Sequence, residues 1–304
     1  MLYQTENRHG GDIYGGIALD FSANVSPLGT PRSVTDAIER ALPELYRYPD
    51  PYCRTLVQTI SEYEGVPKNF VLCGNGASEL IYAYCGAVRP KRAMELAPTF
   101  SEYSLALRRT GCEVVRFALK QEENFDLREN FLPILAREKI DALFLCNPNN
   151  PTSSVIPRNQ MRDILDYCKK KSITVLVDET YVEFAPDVQA VTAIPLTEYY
   201  NNIIILRGIS KFFAAPGLRL GYAICGNKDL LKEINQKKNP WTINSLAAIA
   251  GEIMFSDEEY IQKTRQLIAS ERERICQAIR SMGAYQVYES NCNFVLVKIK
   301  KEGL

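Results

Sequence analysis

Four short and nearly continuous apolar runs constrain the fold most: Phe70–Cys73, Ala142–Cys146, Ile173–Val177 and Ile203–Leu206. Runs of this kind lack the polar alternation of a half-exposed strand, so they read as strands buried on both faces, the situation in a parallel sheet. Between and beyond them, Ala77–Val88, Phe100–Arg109, Asn159–Lys171 and Asp229–Lys238 place apolar residues at helical spacing with charges on the opposite side. Strands alternating with helices predict an α/β fold: a mainly parallel sheet flanked by helices, with the four runs as its central strands.

The segment from Leu19 to Pro51 does not fit that alternation. It carries Pro27, Gly29, Pro31, Pro49 and Pro51 around one short helix expected over Val34–Leu42. Such an arm cannot form a core strand unit and is expected to cross a neighbouring surface. After Trp241, two helical stretches lead into strand-like segments at Tyr285–Tyr288 and Phe294–Lys298. With 304 residues, the chain exceeds the roughly 250 at which one core stops growing. The expected division is an arm over 1–50, a large domain over 51–240, and connecting helices with the start of a small α/β domain over 241–304.

Charge narrows the partners. Lys plus Arg and Asp plus Glu both number 36, so no net field attracts nucleic acid or anionic lipid. The nine cysteines are scattered without a C-x-x-C pair, which argues for reduced thiols and against a metal site. Met1–Gly11 is polar, and no stretch approaches the ~18 apolar residues of a membrane span. A cytoplasmic protein acting on a small molecule is the expectation.

Chemistry-bearing residues cluster at the ends of the strand-like runs. Arg207-Gly-Ile-Ser-Lys211 places a lysine just past a strand, at the edge where open α/β sheets bind ligands. Alone, Lys211 would read as one more surface lysine. Ala215-Pro-Gly-Leu-Arg-Leu-Gly221 then offers Arg219, able to pair with a phosphate or to make a structural ion pair. Asp178 ends the run before it and Tyr181 follows; an ordinary polar strand end would look similar.

Gly74-Asn-Gly-Ala-Ser-Glu79 lies between a strand and a helix, where the N–H groups of Ala77 and Ser78 could meet a phosphate. Glu79 occupies the third glycine position of a dinucleotide fingerprint, which disfavours a dehydrogenase. Asn147-Pro-Asn-Asn-Pro-Thr152 forms a rigid loop that can hold Asn150, and Phe100 could stack on a flat ligand or simply pack. A lysine for a Schiff base, a carboxylate for a ring nitrogen, a hydroxyl for a phenolic oxygen and a phosphate cup together suit pyridoxal 5'-phosphate.

In their order and spacing, G-N-G-A-S-E, N-P-N-N-P-T, D-E-T-Y, S-K and P-G-L-R-L-G-Y resemble the fold-type-I aminotransferase family, especially its histidinol-phosphate branch. Within that branch, His9-Gly-Gly-Asp, Asp20-Phe-Ser-Ala-Asn-Val-Ser-Pro-Leu-Gly29 and Asn239-Pro-Trp-Thr-Ile-Asn244 look most like the threonine-phosphate decarboxylases of cobalamin biosynthesis. The resemblance implies a seven-stranded-type, mainly parallel sheet with a small C-terminal α/β domain. It implies Lys211, Asp178 and Tyr181 as catalytic residues. Ala77, Ser78, Ser210 and Arg219 would hold the cofactor phosphate, with Phe100 on the ring and Asn150 and Tyr181 near the phenolic oxygen. Tyr48 would reach the phosphate of a partner subunit, making a homodimer, and His9, Gly10, Asn24 and Asn150 would meet an amino-acid phosphate.

The chain departs from the family pattern in places. Gly208 stands where relatives often carry Ser or Thr, and Ser153 replaces the usual Gly after N-P-N-N-P-T. Tyr181 is the residue expected of the aminotransferases, whereas a decarboxylase can have Phe there. The family also continues past Leu304 to an arginine that clamps the substrate carboxylate. Three readings therefore stay open: decarboxylation of O-phospho-L-threonine to (R)-1-aminopropan-2-yl phosphate, transamination of the histidinol-phosphate type, and a truncated, non-catalytic relative.

Overall fold

The computed structural model describes residues 10–11 and 20–300. Seven strands, β1 (Val71–Gly74), β2 (Arg92–Ala97), β3 (Glu113–Ala118), β4 (Ala142–Cys146), β5 (Thr174–Asp178), β6 (Ile203–Gly208) and β7 (Gly221–Ile224), form one sheet. Their order is β1-β7-β6-β5-β4-β2-β3. From β2 to β6 all neighbours are parallel, while β7 runs antiparallel to both β6 and β1.

The helices are α1 (Arg32–Ala41), α2 (Arg54–Glu64), α3 (Gly76–Val88), α4 (Glu102–Arg109), α5 (Phe131–Leu135) and α6 (Arg158–Lys170), followed by the short α7 (Val188–Val191) and α8 (Ile209–Phe212). Then come α9 (Lys228–Asn235), α10 (Ser245–Met254) and α11 (Glu258–Ser281). A separate antiparallel pair, β8 (Tyr285–Val287) and β9 (Val297–Ile299), follows α11.

Side-chain alternation explains why the central runs are apolar throughout. Leu143, Leu145, Val175, Val177, Ile203 and Ile205 enter the core on one face, with Met161, Ile164 and Leu165 of α6. Phe144, Leu176, Ile204 and Leu206 enter the core on the other, with Leu80 and Tyr84 of α3 and Leu107 of α4. Each fully buried aliphatic side chain contributes about 1.5–3 kcal/mol, so both faces require apolar residues at every position.

One expectation needs correction. The Phe70–Cys73 run is an edge strand, because β7 enters between it and β6. Its apolar residues are covered by α2 and α3 rather than flanked by strands on both sides, and a short run cannot distinguish those situations. The arm, in turn, packs on its own chain. Val34 of α1 is buried in the main core, Ser33 bonds the Asp257 carboxylate at 2.5 Å, and Thr30 bonds the Ala214 carbonyl at 2.8 Å. Its later part stands away from the core, with Tyr46, Tyr48 and Tyr52 at least 74% exposed. No helix among the described residues is long and apolar enough to cross a membrane.

Candidate active site

The ends of β1, β6 and β7 meet as a row of glycines, Gly74 opposite Gly221 and Gly221 opposite Gly208. A Cβ on Gly221 would lie 2.5 Å from the Ala77 nitrogen, so only glycine lets the first turn of α3 seat on the sheet. Glu79 finishes that turn by accepting from the Asn75 N–H at 2.7 Å and from the Thr242 hydroxyl. The residue that spoils a dinucleotide fingerprint thus holds the helix start closed. The α3 N-terminus, with Ala77 and Ser78, faces a cavity of about 650 Å³.

That cavity gathers Gly10, Asn24, Phe100, Asn150, Asp178, Tyr181, Ser210, Lys211 and Arg219 as well as Ala77 and Ser78. These residues come from segments far apart in sequence, brought to one edge by the parallel strands. His9 lies outside the described residues. Tyr48 does not line the cavity; it is 83% exposed, with its ring 5.2 Å from Trp241.

Asp178, at the end of β5, is buried. Its two oxygens accept from the Tyr103 hydroxyl at 2.8 Å and from the N–H and hydroxyl of Thr180 at 2.9 and 2.6 Å. Burial pushes its carboxyl up, opposed by those hydrogen bonds. A carboxylate held by neutral donors at a cavity wall suits a cationic ring nitrogen, which would favour its ionised form. Neither Tyr103 nor Thr180 was identified from sequence. Thr180 sits within D-E-T-Y, and Tyr103 lies one helical turn from Phe100; only the fold shows that Tyr103 reaches β5.

Lys211 lies on α8, directly after β6. Burial lowers its amine below the ordinary lysine value, and the nearby Arg219 charge lowers it further. A depressed lysine pKa favours the neutral amine, the form that attacks a carbonyl. In reductive alkylation of the cofactor-free protein, Lys211 should therefore reach half-maximal reactivity at a lower pH than exposed lysines. Arg219→Gln should move that midpoint upward by removing the smaller contribution. Equal midpoints for Lys211 and surface lysines would count against the assignment. The stability sign is the same: neutralisation favours the fold as pH rises through the depressed value toward the unfolded one, and the gain is lost as pH falls back.

Arg219 has φ of 60° and lies against α3, so close that a Cβ on Gly76 would be 2.3 Å from its guanidinium. Guanidinium, helix N–H groups, and the Ser78 and Ser210 hydroxyls make a fitting phosphate cup. Gly208 is not forced by space: an added Cβ would meet Thr180 at an ordinary 3.4 Å.

Ser153 has a structural reason to differ from glycine. It is fully buried with φ of 61°, an unfavourable conformation for serine. Its hydroxyl accepts the Asn291 N–H at 2.7 Å and its carbonyl accepts the Asn291 amide at 3.0 Å. Asn293, two residues on, donates to the Asn24 carbonyl at 3.1 Å, and Phe294 packs edge-on to Tyr181 at 5.1 Å. The 290–294 segment is thereby fastened to the Asn150 loop and to the cavity wall. Ser153→Ala should cost about 1 kcal/mol by removing the acceptor of the half-buried Asn291 N–H. Ser153→Gly should cost less, since relief of the left-handed conformation offsets part of that loss. Urea denaturation of the two variants measures the difference; an equal or larger loss for glycine would overturn this account.

Comparison with known proteins fits this geometry. The aminotransferase class I and II family pattern matches residues 17–302. The chain belongs to that family. Its members depend on pyridoxal 5'-phosphate, and the cavity has the acid, amine, flat wall and anion cup which that cofactor requires. Threonine-phosphate decarboxylase of Salmonella typhimurium is 36% identical over 286 residues, covering 94% of this chain and 78% of the relative. A histidinol-phosphate aminotransferase of Ruminiclostridium cellulolyticum is 31% identical over 288 residues, covering 93% of this chain and 78% of the relative. The crystal structure of the histidinol-phosphate aminotransferase from Clostridium acetobutylicum superimposes with a TM-score of 0.85 at 30% identity, covering 91% of this chain and 82% of that one.

Proposed function

We propose that the chain is a cytoplasmic, pyridoxal-phosphate-dependent lyase that decarboxylates O-phospho-L-threonine to (R)-1-aminopropan-2-yl phosphate, a step of cobalamin biosynthesis. The observation carrying this reading is the seating of the N-terminal segment. Ser22, Ala23 and Asn24 line the cavity together with Tyr181, and the Ser26 N–H bonds the Lys211 carbonyl at 2.9 Å. This is the segment whose residues 20–29 resemble the decarboxylases, and Gly10 reaches the same cavity.

Bound there, the cofactor supplies an electron sink for the pair left when a bond to the substrate's α-carbon breaks. Asp178, oriented by Tyr103 and Thr180, keeps a proton on the ring nitrogen. Phe100 offers a flat wall, Asn150 and Tyr181 donate toward the phenolic oxygen, and Ala77, Ser78, Ser210 and Arg219 hold the phosphate. Lys211 carries the cofactor when substrate is absent and returns a proton to the α-carbon after carbon dioxide leaves. The arm excludes water, with Gly10 and Asn24 next to the substrate.

Tyr48 and its exposed neighbours Tyr46 and Tyr52 suit a homodimer in which Tyr48 completes the partner's phosphate site. Transamination is the second reading, favoured by Tyr181, whose hydroxyl is the group expected of the histidinol-phosphate branch. The deciding assay follows carbon dioxide from O-phospho-L-threonine beside amino transfer from histidinol phosphate to 2-oxoglutarate. Carbon dioxide without a 2-oxo acid supports the lyase; 2-oxoglutarate-dependent transfer alone replaces it with the second reading. Neither product from cofactor-loaded protein would point to the non-catalytic relative.

A further inference from the structure

Lys211 sits in α8, and four residues cannot sustain a helix on their own hydrogen bonds. The carbonyls at the end of such a turn need donors from other segments. The Lys211 carbonyl accepts the Ser26 N–H at 2.9 Å, the Ala214 carbonyl accepts the Thr30 hydroxyl at 2.8 Å, and the Phe212 carbonyl lies 3.1 Å from the Tyr260 hydroxyl. The first two donors belong to the arm. The third belongs to α11, yet it touches the arm as well: the same Tyr260 oxygen lies 2.9 Å from the Gly29 carbonyl and 3.3 Å from the Ser26 hydroxyl.

A phenol has one proton to give. Tyr260 therefore donates to Gly29 or to Phe212, and the Ser26 hydroxyl is the group placed to donate to it. The ring is held independently of those bonds. It is 7% exposed, stacks on Phe213 at 5.8 Å and 19°, and meets Phe212 edge-on at 6.5 Å. The Asp257 carboxylate accepts the Tyr260 N–H at 3.0 Å and also the Ser33 hydroxyl, which ties the start of α11 to α1. Further along α11, Arg272 donates to the Phe184 and Cys292 carbonyls at 3.1 and 3.2 Å, and Asn293 next to that cysteine reaches Asn24. One helix thus supports the arm near both Asn24 and Gly29.

We propose that Tyr260 is a positioning residue whose hydroxyl, shared between Gly29 of the arm and Phe212 beside Lys211, couples closure of the arm over the cavity to the placement of the amine.

This coupling rests on Lys211 being the reactive amine of the proposed function, whichever substrate that amine serves. An arm that lifts withdraws its donors from the Lys211 and Ala214 carbonyls, and the short helix then loosens. By linkage, a loosened α8 releases the arm to the same extent.

The test uses the full chain without cofactor and two readouts, amide exchange of the 22–30 segment and the pH dependence of Lys211 reductive methylation. Tyr260→Phe keeps the ring contacts and removes the hydroxyl. It should speed exchange of the Ser26 N–H about tenfold, the factor that corresponds to one lost hydrogen bond. It should also raise the Lys211 midpoint toward that of exposed lysines, because a loosened α8 admits water to an amine whose value burial lowers. Ser26→Ala removes the hydroxyl that donates to Tyr260 and should shift both readouts the same way by less, which carries the test if Tyr260→Phe does not fold. Ser33→Ala breaks the bond to Asp257, away from α8, and should leave the Lys211 midpoint in place. The proposal is overturned if Tyr260→Phe lowers the urea midpoint but changes neither readout, if it frees the arm without moving the Lys211 midpoint, or if Ser33→Ala moves that midpoint equally. Failure of the cofactor-loaded, unaltered chain to release carbon dioxide would count against the proposed function instead, and both readouts would still judge Tyr260.

Discussion

Replacing Lys211 with alanine is expected to abolish covalent retention of pyridoxal phosphate and to lower turnover by about 10²–10⁴-fold or more. Two losses combine, because in the proposed function the same amine would carry the cofactor and move the proton at the α-carbon. Borohydride reduction of cofactor-loaded protein followed by peptide mapping should place the modified lysine at 211 and nowhere else in the cavity. The phosphate cup and the Asp178 wall remain in the alanine variant, so it should still bind the cofactor without a covalent bond. A free alkylamine should restore part of the turnover. Unchanged turnover, or a reduced adduct on another lysine, would remove Lys211 from the role proposed for it.

The second large effect concerns stability. Arg207, on the strand that delivers Lys211, has a side chain only 5% exposed and pairs with Glu179 at 3.1 Å and Glu183 at 2.9 Å. Glu64 lies 3.7 Å away and Thr192 is bonded at 3.1 Å. Burial opposes the guanidinium charge, but the surrounding carboxylates outweigh it and hold the group above its ordinary value. Arg207→Met would strand Glu64 and Glu179, both buried, beside Glu183, and should cost about 3–5 kcal/mol, the usual penalty for an orphaned buried charge. Solvent-exposed pairs such as Lys263–Glu259, 64% and 76% exposed, should change little when broken, because water screens them. Urea midpoints of the two variants test the contrast; equal midpoints would show that Arg207 is not the keystone of that network.

This network has a functional neighbour at each end. Glu179 follows Asp178 in the chain, and Arg207 lies on β6 just before Lys211. The ion pair therefore clamps together the two strands that carry the acid and the amine. Arg207 was read from sequence only as the start of the lysine motif, and Glu179 only as part of a polar strand end. Their pairing depends on β5 and β6 being neighbours in parallel register, which no local pattern reveals.

Several parts of the site were legible because local sequence dictates them. A lysine after a buried strand, a glycine-bracketed turn before a helix and a proline-bracketed asparagine loop each have a short-range signature. The strands β2 and β3 were harder: β2 carries the buried Glu95, and β3 alternates charged and apolar residues at the sheet edge. β7 was missed as a strand because its small residues, Gly221 and Ala223, meet the spacing of a close helix contact rather than of a bulky core. Tyr103 was passed over because its partner Asp178 lies 75 residues away.

By itself the sequence determined the α/β alternation, the edge at which the chemistry gathers and several of the residues that line the cavity, since these follow from periodicity and from motifs a few residues long. Tertiary structure alone decided that β7 is inserted antiparallel, that the arm closes over Lys211, that Tyr103 and Thr180 orient Asp178, and that Ser153 fastens the 290–294 segment. Those facts depend on contacts between residues distant in the chain, and such contacts are selected by the packing of whole faces rather than by any local pattern.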